Sequence, residues 1–231
     1  YGIRPTPFRI SGRYEDKVDK ILLNANKSPG TEMLEPKAWS GDGGLTLVEY
    51  APYGVIGSII PSTNPVSSVV SNAICMIDAG NAVVFNAHPA ARQCSNHAIQ
   101  LVNQAIVEAG GPKNLVTSID EPTIQSAEAI MAHPGINLLV VTGGAGVVRA
   151  AMQSGKRAIC AGPGNPPVVV DETADLEQAG RDIVRGASFD NNIVCIAEKE
   201  VFAVHGIADQ LKQAMLRHGA VEIDQAQLQK L

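Results

Sequence analysis

The stretch "NLLVVTGGAGVVRAAMQ", residues 137–153, joins a strand pattern directly to a helix pattern. The apolar run Asn137–Thr142 predicts a strand, and Ala145–Gln153 has the spacing of a helix. Glycines form the turn between them. A strand that passes through a short turn into a helix is the repeating unit of parallel α/β sheets, so this stretch decides the fold class.

The same unit recurs along the chain, and the repetition predicts a doubly wound parallel sheet. Further strands are predicted over Val55–Ile60, Ala82–Phe85, Leu115–Ile119 and Arg157–Ala161, with helices over Val66–Ala79, Ala90–Ala109 and Thr123–Ala132. Before this region we expect a short helix, Asp16–Asn26, and an alternating strand that starts at Leu45. After "AGPGNPP" the register changes, and the expected elements are Val168–Val170, Asp175–Gly186, Glu200–Val204 and Ile207–His218.

Composition excludes several classes of protein. The 231 residues carry a net charge of −5 and 4% aromatic side chains, with no Lys/Arg cluster, which argues against nucleic-acid binding. Apolar runs have only the length of strands, so no membrane span is expected. Four widely spaced cysteines without a CxxC pair are typical of free thiols in the cytoplasm, and no histidine pair has metal-ligand spacing, so no metal site is predicted. Because the chain starts at Tyr1, we expect it to be part of a longer protein.

Ligands of open α/β sheets bind outside the carboxyl ends of the strands. Four loops fall at such ends: "PSTNP" (61–65), "NAHP" (86–89), "TGGAG" (142–146) and "AGPGN" (161–165). Glycines in "TGGAG" allow a phosphate to approach the start of a helix, although a tight turn without a ligand explains them equally well. The full GxGxxG spacing and its distal acidic residue are absent, so the chain lacks the standard Rossmann fingerprint.

Two residues are candidates for chemistry. Asn64 lies between two prolines and has an amide that can donate to an oxyanion, but an Asn-Pro turn is the commoner interpretation. Cys195 lies in an irregular polar loop, "SFDNNIVCIAEKEV" (188–201). Cys75 and Cys160 lie in apolar segments that predict packing, and Cys94 lies on a half-exposed helix. From the residues alone, Cys195 is either an inert thiol or a nucleophile.

Together these segments resemble the CoA-acylating branch of the aldehyde dehydrogenase superfamily, which includes acetaldehyde and propionaldehyde dehydrogenases of bacterial microcompartments. The resemblance runs from about Gly12 to the end and is carried by "GDGGLTLVEYAPYGVIGSIIPSTNP", "MAHPGINLLVVTGGAGVV", "AGPGNPPVVVDETADL" and "GASFDNNIVCIAEKEV". It implies a helical and hairpin segment over 1–50 and a Rossmann-like dinucleotide-binding domain over 51–165. Residues 166–231 would then be the first part of an α/β catalytic domain that carries Cys195.

The resemblance also implies roles for single residues. Cys195 would attack a short-chain aldehyde, while the Asn64 side chain and the Cys195 backbone N–H stabilise the oxyanion. NAD, or NADP as the alternative, would accept the hydride and bind at Pro61, Ser62, Thr63, His88, Pro89, Thr142, Gly143, Gly144, Gly146, Val147 and Gly162. The glutamate that activates water in hydrolytic relatives maps onto Ala161, so the acyl group would pass to coenzyme A rather than to water.

Alternatives to this interpretation are a hydrolytic semialdehyde dehydrogenase or phosphate-dependent relative of the same superfamily, and a non-catalytic scaffold member. At full length the resemblance implies a homo-oligomer in the cytoplasm, with a microcompartment and its shell as a further setting.

Overall fold

The structure of the chain is a computed structural model that describes residues 34–230. Contacts divide the chain into two compact units between Gly162 and Pro163, called here the N-terminal unit and the C-terminal unit. The helix predicted at Asp16–Asn26 lies outside the described residues.

The described chain starts with an antiparallel hairpin of β1 (Lys37–Gly41) and β2 (Gly44–Val48). Gly44 has a φ of +124°, which the turn requires and which side chains disfavour. The alternating pattern from Leu45 predicted β2. Strand β1 was not predicted, and it ends within the glycine-rich segment Ser40–Gly44.

A five-stranded parallel sheet forms the core of the N-terminal unit, with the order β5-β4-β3-β6-β7. Its strands are β3 (Val55–Ile59), β4 (Ala82–Asn86), β5 (Val116–Ser118), β6 (Leu138–Thr142) and β7 (Ala158–Ala161). The helices between them are α1 (Pro65–Asp78), α2 (Arg92–Glu108, after a 3-10 turn at Pro89–Ala91), α3 (Ile124–Ala132) and α4 (Ala145–Gln153). The predicted strand–helix units are thus confirmed, with shifts of a few residues at their ends.

Helices cover both faces of this sheet, which confirms the doubly wound architecture. On one face Ile56 and Ile60 pack in a buried cluster with side chains of α1 and α2, and on the other Ile59 packs with those of α3 and α4. Alternate residues of β3 therefore serve two cores. Gly57 faces α3 so closely that a Cβ there would lie 2.6 Å from Cγ2 of Ile130.

Register places the carboxyl ends of four strands side by side. Ile59 of β3 is level with Asn86 of β4 and with Val141 of β6, and Thr142 is level with Ala161 of β7. The strands that follow β3 in the chain are added on one side of it and then on the other. This makes the end of β3 the topological switch point, where ligands of such sheets bind.

The C-terminal unit contains a two-stranded parallel sheet, β8 (Pro167–Val170) and β9 (Glu200–Ala203). Its helices are α5 (Leu176–Ser188), α6 (Ala208–Arg217) and the single turn α7 (Gln225–Leu228), with 3-10 turns at Phe189–Asn192 and His205–Ile207. Val170, Ile183 and Leu211 form its buried core. The predicted strand–helix–strand–helix order is confirmed, and the Cys195 loop lies between α5 and β9.

Candidate active site

The edge of the sheet at the carboxyl ends of the strands gathers all the predicted cofactor residues. The loop after β3 supplies Pro61, Ser62, Thr63 and the catalytic candidate Asn64; the loop after β4 supplies His88 and Pro89; the turn after β6 supplies Thr142, Gly143, Gly144, Gly146 and Val147; and Gly162 follows β7. Pro61 is buried, the other residues of its loop are half-buried, and His88 and Pro89 are exposed. A ligand at this edge would meet all four segments.

The turn between β6 and α4 leaves open space beside the first turn of the helix. Gly144 is the N-cap, and a Cβ added to Gly144 or to Gly146 meets no described atom within 4 Å. Gly143 differs, because a Cβ there would lie 2.7 Å from Cγ1 of Val147, so packing explains that glycine. The helix start also presents backbone N–H groups without intrahelical acceptors. Open space and free donors fit the pyrophosphate of a dinucleotide.

Hydrogen bonds to its backbone carbonyl oxygen and to its side-chain oxygen hold Asn64 in place. Its carbonyl oxygen accepts hydrogen bonds from the hydroxyls of Ser67 (3.0 Å) and Ser68 (2.8 Å) at the start of α1. The Thr63 hydroxyl donates to Oδ1 of Asn64 at 3.1 Å. No residue within 34–230 accepts from Nδ2 of Asn64, so the donating side of the amide is unpaired in this part of the chain. Asn64 is the N-cap residue of α1, but its side chain makes no capping hydrogen bond, which leaves the amide able to donate to a ligand.

His88 caps the 3-10 turn that leads into α2. Its Nδ1 accepts a hydrogen bond from the N–H of Ala90 at 3.2 Å. An accepting Nδ1 places the proton of the neutral ring on Nε2, which makes that atom a donor. His133 has a similar capping contact with the N–H of Gly135. Both histidines thus cap loops, and at His88 the cap also fixes a donor near the edge of the sheet.

Cys195 occupies a tight turn within the loop between α5 and β9. The N–H of Ala197 donates to the carbonyl oxygen of Val194 at 3.2 Å, which closes the turn around Cys195 and Ile196. Val194 and Ala197 are buried, whereas Cys195 is half-buried. Within the described part of the chain the backbone N–H of Cys195 has no acceptor. A thiol and an unpaired N–H on one anchored turn are the groups that a nucleophilic cysteine needs.

Gly164 lies directly against the backbone of Cys195. A Cβ added to Gly164 would collide with the Cys195 carbonyl oxygen and lie 3.4 Å from the Cys195 Cβ. Next to Gly164, the carbonyl oxygen of Pro166 accepts from the N–H of Lys199 at 3.0 Å. The segment that precedes β8 therefore supports the loop from one side. Within the strand-end loop "AGPGN", Gly164 therefore has a packing role, whereas the predicted cofactor residue of that loop is Gly162.

For one of the other three cysteines, the observed burial contradicts the prediction. Cys160 is half-buried against the cluster on the α3–α4 face, and Cys94 is exposed, as expected. Cys75 is exposed on α1, so its prediction as a packing residue was wrong. An apolar segment of an amphipathic helix still has an outer side, and Cys75 lies there.

Carboxylates of the C-terminal unit have local structural partners. Hydrogen bonds from Thr173 lower the pKa of Asp171, and a hydrogen bond from Arg217 lowers the pKa of Glu177. Position 161, where hydrolytic relatives would have a base, is an exposed alanine at the end of β7.

No group of three or more His, Cys, Asp or Glu side chains between residues 34 and 230 could hold a metal ion. Over the same residues no helix is long and apolar enough to cross a bilayer.

Comparison with known proteins decides the family. The profile of the aldehyde dehydrogenase family matches residues 16–223. The chain belongs to the aldehyde dehydrogenase family. Among its curated relatives, the acetylating acetaldehyde dehydrogenase EutE of Escherichia coli K12 is 53% identical over 221 residues, which are 95% of this chain and 47% of the relative.

Solved structures of the family agree with this assignment. A propionaldehyde dehydrogenase from the fucose utilisation microcompartment of Clostridium phytofermentans is 53% identical, with a TM-score of 0.82 over 88% of this chain and 47% of that one. The propionaldehyde dehydrogenase of Rhodopseudomonas palustris, solved with bound CoA and an acylated cysteine, is 45% identical, with a TM-score of 0.82 over 96% of this chain and 55% of that one. The chain thus spans about half the length of these family members.

Proposed function

We propose that this chain contributes the cofactor site and the nucleophile of a CoA-acylating aldehyde dehydrogenase. The reaction would oxidise acetaldehyde or propionaldehyde to the corresponding acyl-CoA, with NAD as the hydride acceptor and NADP as the alternative. The observation that carries the proposal is Cys195, half-buried on an anchored turn, in a chain that is 53% identical to an acetylating acetaldehyde dehydrogenase. The acylated cysteine of the Rhodopseudomonas palustris relative supports the same role.

In this mechanism the Cys195 thiolate attacks the aldehyde carbon and forms a C–S bond, and the carbonyl oxygen becomes an alkoxide. As the family resemblance implies, the proposed donors for this alkoxide would be the backbone N–H of Cys195 and Nδ2 of Asn64, whose Oδ1 accepts from the Thr63 hydroxyl. Bound NAD supplies the hydride acceptor, and the residues around α4 and His88 would hold it. Loss of hydride leaves a thioester on Cys195.

Transfer of the acyl group completes the reaction. The thiolate of CoA attacks the thioester carbon, the same donors stabilise the second alkoxide, and Cys195 leaves as a thiolate. Water would need a general base for this attack at neutral pH, whereas an ordinary thiol with a pKa of about 8.5 already has a few per cent of the strongly nucleophilic thiolate. Ala161 supplies no base, which supports CoA over water as the acceptor.

At the full length of its relatives we propose a homo-oligomer in the cytoplasm, with a bacterial microcompartment and its shell as the setting in which it works. The microcompartment origin of the Clostridium phytofermentans relative supports the setting. The β1–β2 hairpin exposes apolar side chains, among them Trp39 and Leu45, and this exposure supports an interface between subunits of the proposed homo-oligomer.

Trapping of the acyl-enzyme tests the proposal. The protein at the full length of its relatives is incubated with propionaldehyde and NAD without CoA, and its cysteine peptides are analysed by mass spectrometry. We expect the propionyl group on Cys195, and its loss on addition of CoA. Cys195→Ala abolishes both the adduct and NADH formation but retains NAD binding, and Cys94→Ala, which removes an exposed thiol, serves as the matched control. Turnover in Cys195→Ala would refute the assignment.

A further inference from the structure

Three consecutive residues before the Cys195 turn have left-handed backbone conformations. Asp190, Asn191 and Asn192 have φ values of +52°, +53° and +57°. Such conformations are unfavourable for residues with a side chain, and Asn and Asp tolerate them best. A run of three persists only where the surroundings fix it, so the contacts of this segment show what holds it in place.

The side chain of Asn192 is hydrogen-bonded on both sides of the Cys195 loop. Its Nδ2 donates to the carbonyl oxygen of Ala187 at 2.8 Å and to that of Glu198 at 2.9 Å. Ala187 lies in the last turn of α5, where carbonyl groups lack intrahelical donors, and Glu198 lies three residues after Cys195. Oδ1 of Asn192 accepts from Nζ of Lys199. The Asn192 amide therefore connects the C-terminal end of α5 to the segment between Cys195 and β9.

Close packing reinforces this tie. The carboxylate of Glu198 lies over Gly186, where a Cβ would be 2.6 Å from Cδ of Glu198. Gly164 contacts the Cys195 carbonyl group from another direction. The loop is thus held at Asn192, at Cys195 and at Glu198, and the Asn192 amide contributes side-chain hydrogen bonds to carbonyl groups before and after the cysteine.

We infer that Asn192 is a positioning residue for Cys195, an inference that rests on the proposed function for its catalytic consequence. The amide fixes the two ends of the loop, and so fixes where the Cys195 thiol and N–H point. A thiol that attacks a carbonyl must be held in a productive geometry, and a misplacement of about 1 Å can reduce the rate by about 100-fold. Loss of the Nδ2 donors should therefore slow acylation without unfolding the unit.

Asn192→Asp is the sharpest variant, because the carboxylate keeps the size and the acceptor for Lys199 but cannot donate to the two carbonyl groups. Asn191→Asp is its matched control, with the same substitution at a neighbouring residue of nearly the same φ. Asn192→Gly and Asn191→Gly form a second pair, in which glycine removes the side chain and tolerates the left-handed backbone. All four are made in the protein at the full length of its relatives.

Three measurements are compared within each pair: the NADH burst with propionaldehyde in the absence of CoA, the rate at which iodoacetamide alkylates Cys195, and hydrogen exchange of the buried core residues Ile183 and Leu211. We expect both Asn192 variants to lower the burst rate by about 10- to 100-fold and to accelerate alkylation of Cys195, with core exchange unchanged. Burst and alkylation rates of the Asn192 variants equal to those of the wild type would overturn the inference. Faster exchange at Ile183 and Leu211 would also overturn it, because Asn192 would then stabilise the whole unit. A wild-type protein without a burst would refute the proposed function, while the alkylation comparison would still decide the role of Asn192.

Discussion

At the scale of the residue, a substitution at Gly146 distinguishes an effect on stability from an effect on cofactor binding. It is the second residue of α4, and an added Cβ meets no described atom within 4 Å. Alanine is more favourable than glycine in helices by up to about 1 kcal/mol, so Gly146→Ala should leave the melting temperature unchanged or raise it. The same methyl group would occupy the space proposed for the pyrophosphate, and we expect the Kd for NAD, measured by calorimetry, to rise by about 10-fold.

The matched control is Gly206→Ala in the C-terminal unit, where an added Cβ also meets no described atom within 4 Å. Its affinity for NAD should equal that of the wild type. An unchanged Kd in Gly146→Ala would remove α4 from the proposed cofactor site. A weaker affinity that accompanied a lower melting temperature would show a structural effect instead.

Single residues also show what the sequence could predict about the site. A polar loop and a pair of prolines mark Cys195 and Asn64 locally, but the residues alone left their roles open, and only the resemblance assigns those roles. The contacts of Asn192 and Gly164 were not predictable, because they depend on how the loop folds back over the end of α5 and the approach to β8. The run Asp190-Asn191-Asn192 carried a signal, since consecutive Asp and Asn residues favour left-handed backbone, but it did not identify the acceptors.

At the scale of the element, α5 and α6 are joined by a charged cluster. Arg217 donates to Oε2 of Glu177 at 2.5 Å, and Nε2 of His218 lies 2.9 Å from Oε1. The hydrogen bond from Arg217 is the main cause of the lowered pKa of Glu177. A carboxyl whose pKa is lower in the folded state contributes stability above its unfolded pKa and loses it as the pH falls through the folded value.

Glu177→Gln should therefore lower the melting temperature slightly at pH 7, because the pair is exposed. The difference from the wild type should shrink as the pH falls below the ordinary value of 4.5 and vanish once Glu177 is protonated. Thermal unfolding of both proteins between pH 7 and pH 3 checks this. A difference that stayed constant over that range would show that the ionised carboxylate is not the cause.

Elements were predicted well where periodicity was strong and poorly where it was not. The buried strands β3 and β6 have apolar runs that pack on two cores, and these patterns are hard to mistake. Strand β1 was missed because Lys37–Gly41 is fully exposed and carries no apolar alternation. The prediction that Cys75 packs in the core was wrong for a related reason. An apolar run alone does not show which side of α1 faces outward.

At the scale of the whole molecule, the chain provides the sheet edge and the cysteine turn of a family whose members are about twice as long. The repeated strand–helix units predicted the doubly wound parallel architecture, whereas the spatial order of the strands was not predicted and comes from the structure. The proposed acyl acceptor rests on the resemblance, through the alanine at position 161 in place of a glutamate. The central claim is therefore that the acyl group of Cys195 passes to CoA.

Product analysis with and without CoA tests this claim most directly. The protein at the full length of its relatives is mixed with propionaldehyde and NAD, and NADH, propionyl-CoA and free propionate are measured over many turnovers. With CoA we expect sustained NADH formation and an equal amount of propionyl-CoA, and without CoA a single burst that leaves the acyl group on Cys195. Sustained NADH formation without CoA, with propionate as the product, would contradict the account.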